Sequence, residues 1–156
     1  MPSLIHISDN FLTSYVEQHK GWHEMKTILI AEDIPLNSKI IDLNLRKHNY
    51  KTIIVENGRE ALNILQSEKT VDLVISDIMM PQLDGLQLLE IVKTTPSLSH
   101  IPIVLCSAID DPLKVRKAIE LGCDHYFLKP INPGNLIKKI RELLHIEDPQ
   151  WENMLF

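Results

Sequence analysis

Five side chains able to do chemistry follow short apolar runs. Glu32 and Asp33 come directly after the run 27–31, Asp77 after 72–76, Ser107 after 103–106 and Lys129 after 125–128. Three carboxylates brought together repel one another: at ~4 Å a like-charged pair costs about 4 kcal/mol at an effective dielectric of 20. Such a cluster calls for a cation or a raised pKa. Hard oxygen ligands with room for water suit Mg²⁺, with Mn²⁺ as a substitute. The lysine adds a positive charge, and the serine hydroxyl can donate to an anion. One accessible carboxylate, a divalent ion, a hydroxyl and an ammonium together equip a site for phosphoryl transfer. The carboxylate attacks while the cations neutralise the transferring oxygens.

For these residues to meet, the runs must lie side by side in one sheet. The runs 27–31, 52–55, 72–76, 103–106 and 125–128 are nearly continuous in apolar character, which predicts parallel strands buried on both faces. Between them lie helical stretches at about 36–48, 58–68, 84–94, 111–121 and 133–145. The apolar residues at helical spacing are Leu36, Ile40, Leu43 and Leu45 in the first, Val115, Ala118 and Ile119 in the fourth, and Leu136, Ile137, Ile140, Leu143 and Leu144 in the last. Asn57-Gly58 and Leu121-Gly122 mark turns, the second as a helix C-cap. Five strands alternating with five helices read as a doubly wound (βα)5 domain of the α/β class. In such sheets ligands sit at the carboxyl ends of the strands, where all five reactive residues fall.

The chain of 156 residues is long enough for one domain with short extensions: 1–25, a main domain over 26–145, and a tail over 146–156. With 44% apolar and 24% charged residues it is ordinary for a globular protein and unlike a disordered one. A net charge of −5 argues against direct nucleic-acid binding by the whole domain. Two cysteines are too few for a disulfide framework. They read as small buried hydrophobes in a reducing compartment. No apolar run is long enough to span a membrane, and no secretory signal is evident, so a cytoplasmic location is expected.

In the first extension, Ser8-Asp9-Asn10 is a helix N-cap signal. Phe11, Leu12, Tyr15, Val16 and His19 then form an amphipathic stripe ended by Gly21. A lone helix of about ten residues is marginal in water, so this one needs a partner surface. Its own domain and a second chain, as in a homodimer, both remain open. The tail carries a similar apolar set, Trp151, Met154, Leu155 and Phe156. His19 and His23 stand four apart, but Gly21 lies between them and no third ligand is evident. Lys114, Arg116 and Lys117 read as a solvated helix face.

The fragments Ile30-Ala31-Glu32-Asp33, Ser76-Asp77-Ile78-Met79-Met80-Pro81 with Asp84-Gly85, Cys106-Ser107-Ala108 and Tyr126-Phe127-Leu128-Lys129-Pro130 occur in that order. With them the chain resembles the receiver domain of two-component response regulators over about residues 26–145. The resemblance implies a flavodoxin-like sheet of strand order 2-1-3-4-5. It implies that Asp77 is the phosphoacceptor and that Asp33 holds Mg²⁺ directly. Glu32 would hold the ion largely through water, and the Met79 backbone carbonyl would complete the ligands. Ser107 and Lys129 would bind the phosphoryl oxygens, and Lys129-Pro130 would be a cis peptide. Tyr126 would be a switch aromatic coupled to Ser107, acting on the surface of helix 4, strand 5 and helix 5. The donor would be a histidine kinase or a histidine phosphotransfer protein, and the output an unidentified downstream protein. Such a stand-alone receiver would catalyse only its own phosphorylation and dephosphorylation.

Two departures stand out. The first acidic pair is Glu32-Asp33, where receivers usually carry two aspartates. Met79 and Ile109, two residues beyond Asp77 and Ser107, cannot orient a hydrolytic water, which implies a long-lived phosphoryl group. Two rival readings differ in class. One is a receiver-shaped adaptor that binds its partner regardless of phosphorylation. The other is a metal-dependent phosphohydrolase, for which Asp33-Ile34-Pro35 lacks the needed Asp-x-Asp.

Overall fold

The computed structural model describes residues 25–108 and 111–146. The extension stripe, the tail's apolar set and Ile109 lie outside the described residues. The elements alternate strictly: β1 (Thr27–Ala31), α1 (Pro35–Lys47), β2 (Lys51–Val55), α2 (Gly58–Gln66), β3 (Leu73–Asp77), α3 (Gly85–Thr94), β4 (Ile103–Ser107), α4 (Pro112–Glu120), β5 (His125–Leu128) and α5 (Pro133–Leu143). The strands form one sheet in the order β2-β1-β3-β4-β5, every pair parallel. The α/β fold and the strand order agree with the expectation.

Alternation along the strands builds two cores. Leu29, Val74 and Leu105 project to one face, under α2, α3 and Ala118 of α4. Ile28, Ile30, Ile75 and Val104 project to the other, against Ile41 and Leu45 of α1 and Leu136, Ile137 and Ile140 of α5. Each fully buried aliphatic side chain contributes about 1.5–3 kcal/mol relative to exposure. Burial on both faces holds for β1, β3 and β4; the edge strands β2 and β5 are partly open.

Local chemistry sets the helix ends. Pro35, Pro112 and Pro133 open α1, α4 and α5, where a missing N–H costs nothing. Asp84 and Gln87 form a reciprocal capping box on α3. At the Asn57-Gly58 turn, the Asn57 side chain accepts from Glu60 N at 2.8 Å and caps α2. Gly122, at φ +88°, follows α4 as expected, with Cys123 N donating to Ala118 O at 3.0 Å.

The inner face of α1 differs from the expected one. Of the predicted stripe only Leu45 is buried; Leu36, Ile40 and Leu43 are 68%, 57% and 56% exposed. The inner face is Ser38, Ile41, Asp42 and Leu45. Asp42 is held there by hydrogen bonds from Thr52 Oγ1, from Arg46 Nε at 2.7 Å and from Lys39 Nζ at 3.4 Å. Burial pushes its carboxyl up, but the three donors outweigh burial and hold it below the usual aspartate range. A depressed native pKa gives stability that is present above about pH 4, the unfolded value, and lost as pH falls below it. Asp42→Asn is expected to cost about 1–2 kcal/mol in urea unfolding at neutral pH. The same variant should lose less stability than the wild type between pH 5 and the acid limb.

Candidate functional site

Strands β1 and β3 are neighbours, and α1 and α3 leave their carboxyl ends toward opposite faces of the sheet. In doubly wound sheets this is the place, outside the strand ends, where ligands bind. Glu32 and Asp33 follow β1, and Asp77 is the last residue of β3. Ser107 ends β4, so the strands reach one residue further than expected and include both Asp77 and Ser107. Ladder bonds run on into the loops: Glu32 N donates to Val55 O at 3.0 Å, Ile78 N to Cys106 O at 3.2 Å and Lys129 N to Ser107 O at 2.9 Å. The reactive residues are thus held by sheet geometry, Asp77 and Ser107 at the last position of their strands and Glu32, Asp33 and Lys129 just beyond theirs.

The three carboxylates meet. Glu32, Asp33 and Asp77 each offer an oxygen, and these oxygens lie within 4.8 Å of one another. Glu32 and Asp77 are only 2% and 8% exposed, whereas Asp33 is open to solvent. Lys129 Nζ reaches across from the far side, 2.6 Å from Glu32 Oε2 and 2.9 Å from Asp77 Oδ2. Burial pushes the Glu32 carboxyl up, reinforced by the nearby Asp77 charge and opposed by the Lys129 bond. Burial alone would push the Lys129 ammonium down; its bonds to Glu32 and Asp77 outweigh that and raise it, so it stays charged. One ammonium against three carboxylates leaves a net negative pocket of hard oxygen donors. That donor set fits a divalent cation such as Mg²⁺.

Glu32 departs from the expected distribution of roles. Its Oε1 accepts from Ile34 N at 3.1 Å and its Oε2 takes the lysine, so it orients Lys129 as well as facing the acidic pocket. Met79 lies beside the pocket, with its backbone N 3.4 Å from Asp77 Oδ1 and its side chain half exposed. Ser107 is buried at the end of β4. Leu105 pairs with Tyr126 and Ser107 with Leu128, so Ser107 and Tyr126 project from one face of the sheet on adjacent strands. Tyr126 packs on the core of that face. The Lys129–Pro130 peptide is cis.

Two residues named in the sequence make contacts beside the site that the sequence reading did not give them. Lys114, on the solvent side of α4, places its Nζ 3.3 Å from Met79 Sδ. Gly85 packs α3 against the backbone of Asp77, with Gly85 N donating to Ile78 O at 2.9 Å. A Cβ at Gly85 would fall 2.2 Å from Asp77 O. The Asp84-Gly85 pair was legible as a motif, but the close approach needs the tertiary structure. Gly85→Ala is expected to cost about 1–3 kcal/mol, as an overpacked core does, and to displace Asp77. Thermal unfolding and the rate of phosphoryl uptake should therefore fall together.

Neither cysteine is favoured as a thiolate. Burial pushes the Cys106 thiol up to about 12 and raises that of Cys123. Both are free. Among the described residues no helix is long and apolar enough to cross a membrane.

The chain matches the family model of the response regulator receiver domain over residues 28–141. It is 36% identical over 104 residues to the two-component response regulator ORR8 of Oryza sativa subsp. indica, covering 67% of this chain and 86% of the rice protein. Among solved structures it is similar to the signal receiver domain of a signal transduction histidine kinase from Syntrophus aciditrophicus. That pair shows 37% identity and a TM-score of 0.72, covering 77% of this chain and 90% of the other. The chemotaxis response regulator CheY4 of Vibrio cholerae superposes with a TM-score of 0.70 at 26% identity, covering 77% of this chain and 99% of that one.

Proposed function

The chain belongs to the response regulator receiver family, and from that membership we propose that Asp77 accepts a phosphoryl group from a phosphohistidine donor. The donor would be a histidine kinase or a histidine phosphotransfer protein. The observation that carries the reading is the Lys129 ammonium bonded at once to Asp77 and Glu32 beside Asp33. A carboxylate so placed has a charged donor ready for the incoming phosphoryl oxygens.

An oxygen of Asp77 attacks phosphorus, the phosphorus–nitrogen bond of the donor breaks, and the imidazole leaves with its electron pair. Lys129 Nζ turns from the Asp77 carboxylate to an oxygen of the new acyl phosphate, while Glu32 Oε2 goes on accepting from the same ammonium. Ser107 Oγ donates to a second oxygen. Asp33, Asp77 and the Met79 carbonyl would hold Mg²⁺, with Glu32 reaching it largely through water. When bound, the ion supplies neutralisation of the transferring oxygens. Aspartyl phosphate adds charge and acceptors that the resting site lacks. As Ser107 shifts toward it, space opens on the face it shares with Tyr126, and the surface of α4, β5 and α5 responds. Moving such a switch from 1:99 to 99:1 takes about 5.5 kcal/mol of differential interaction, which one charge-assisted bond and one ion contact supply in large part.

The test is intact-protein mass spectrometry after incubation with acetyl phosphate and Mg²⁺. Gain of one phosphoryl group is expected. No gain under conditions that label a control receiver would favour a phosphorylation-independent adaptor. Met79, beside Asp77, has no side-chain donor or acceptor strong enough to orient water. Loss of the phosphoryl group is therefore expected to be slow. After donor removal, a half-life of seconds in the unaided protein would contradict this.

A further inference from the structure

Asp77 has a second cation nearby. Lys114, on the first turn of α4, places its Nζ 3.3 Å from Met79 Sδ. A thioether sulfur is a weak acceptor. Among the described residues no carboxylate pairs with this ammonium. Met79 in turn stands two residues past Asp77, with its backbone N 3.4 Å from Asp77 Oδ1. Lys129 holds the other oxygen, Oδ2, at 2.9 Å. One ammonium is thus bonded to Asp77, and a second stands one methionine side chain away, beyond the oxygen that Lys129 leaves free.

Charge decides when that second ammonium is wanted. With a divalent ion bound, the charges of Glu32, Asp33 and Asp77 are matched by the ion and Lys129, and nothing draws Lys114 inward. Phosphorylation removes one carboxylate charge and adds about −1.5 to −2. Close to one negative charge is then unmatched. Lys129 cannot supply it, because Glu32 Oε2 shares the same ammonium.

We propose that Lys114 is a second phosphoryl-binding lysine: its ammonium leaves Met79 Sδ for an oxygen of the acyl phosphate and draws the first turn of α4 toward the site. This rests on Asp77 being the phosphoacceptor. Three features favour the move. A lysine carries its charge on a flexible four-carbon stem, so the ammonium can change partners. A contact to a weak acceptor is exchanged for a charge-assisted hydrogen bond. The helix that carries Lys114 is loosely held: Ala118 is its one buried side chain, and Leu113 is 75% exposed. The contact gives the phosphoryl group a direct line to α4, parallel to the one through Ser107 and Tyr126.

The test is lysine footprinting of the full chain with an amine-acetylating reagent at low dose, read by peptide mass spectrometry. Phosphoramidate with Mg²⁺ serves as the donor, because acetyl phosphate itself acetylates amines. The mass of the intact protein gives the phosphorylated fraction. Lys117, exposed on the same helix, is the internal reference. On phosphorylation Lys114 should label roughly fivefold less, as for an amine engaged about four-fifths of the time, with Lys117 unchanged. Asp77→Asn with the same donor should show no protection. Lys114→Gln should slow phosphoryl uptake about three- to fivefold, the scale of a partly exposed charged contact, and Lys114→Arg should restore it. Uptake with Lys114 labelling unchanged, or a Lys114→Gln rate equal to wild type, would overturn this proposal alone. No uptake at all would overturn the phosphoacceptor reading and this proposal with it.

Discussion

Asp77→Asn is expected to abolish phosphoryl uptake from acetyl phosphate while the protein keeps its far-ultraviolet circular dichroism. The amide has the shape of the carboxylate, and its oxygen can still accept from Lys129 Nζ. It is not a nucleophile at phosphorus, so nothing of the reaction remains at that position. The neighbouring carboxylates are poor replacements. Glu32 is more deeply buried, its carboxyl is pushed up by that burial, and both its oxygens are engaged, by Lys129 and by Ile34 N. Asp33 is solvent-exposed. An adaptor indifferent to phosphorylation would bind its partner equally well with asparagine at this position, so the same variant separates the two readings.

Lys129→Ala should produce the second largest effect, a fall in phosphorylation rate of about 10²–10³-fold. That is the scale seen when one preorganised donor to a developing oxyanion is removed. Metal affinity should move the other way. The Lys129 ammonium now offsets the charge of Glu32 and Asp77 at 2.6 Å and 2.9 Å. Without it, the three carboxylates attract a divalent ion more strongly and repel one another more when the ion is absent. Titration of the variant with Mg²⁺ should therefore show affinity equal to or tighter than wild type, even as phosphoryl uptake collapses. Parallel loss of both would mean that Lys129 acts only by holding the pocket together.

The site was legible because its residues sit where apolar runs end. A short apolar run followed by an acid, a serine or a lysine places that side chain at the strand's carboxyl end. The order of the strands was not legible from periodicity; it came from the family resemblance. The Lys129–Glu32 bond joins residues 97 apart, and nothing local announces it. Glu32 accordingly acquired a second task, orienting the lysine. In α1 the apolar pattern is ambiguous because both sides carry it. The buried side is identified by two polar residues, Ser38 and Asp42, that a hydrophobic count passes over. Asp42 is buried because Arg46 and Lys39 lie within one turn and Thr52 arrives from β2. Gly85 likewise means little until α3 is seen against the Asp77 carbonyl.

The most direct measurement is peptide mapping of the phosphorylated protein after acetyl phosphate treatment, with Mg²⁺ and with the ion chelated. The account predicts one phosphoryl group, on the peptide carrying Asp77, formed with Mg²⁺ and absent with chelator. A phosphoryl group on any other residue, or on Asp77 at an undiminished rate without the ion, would contradict it.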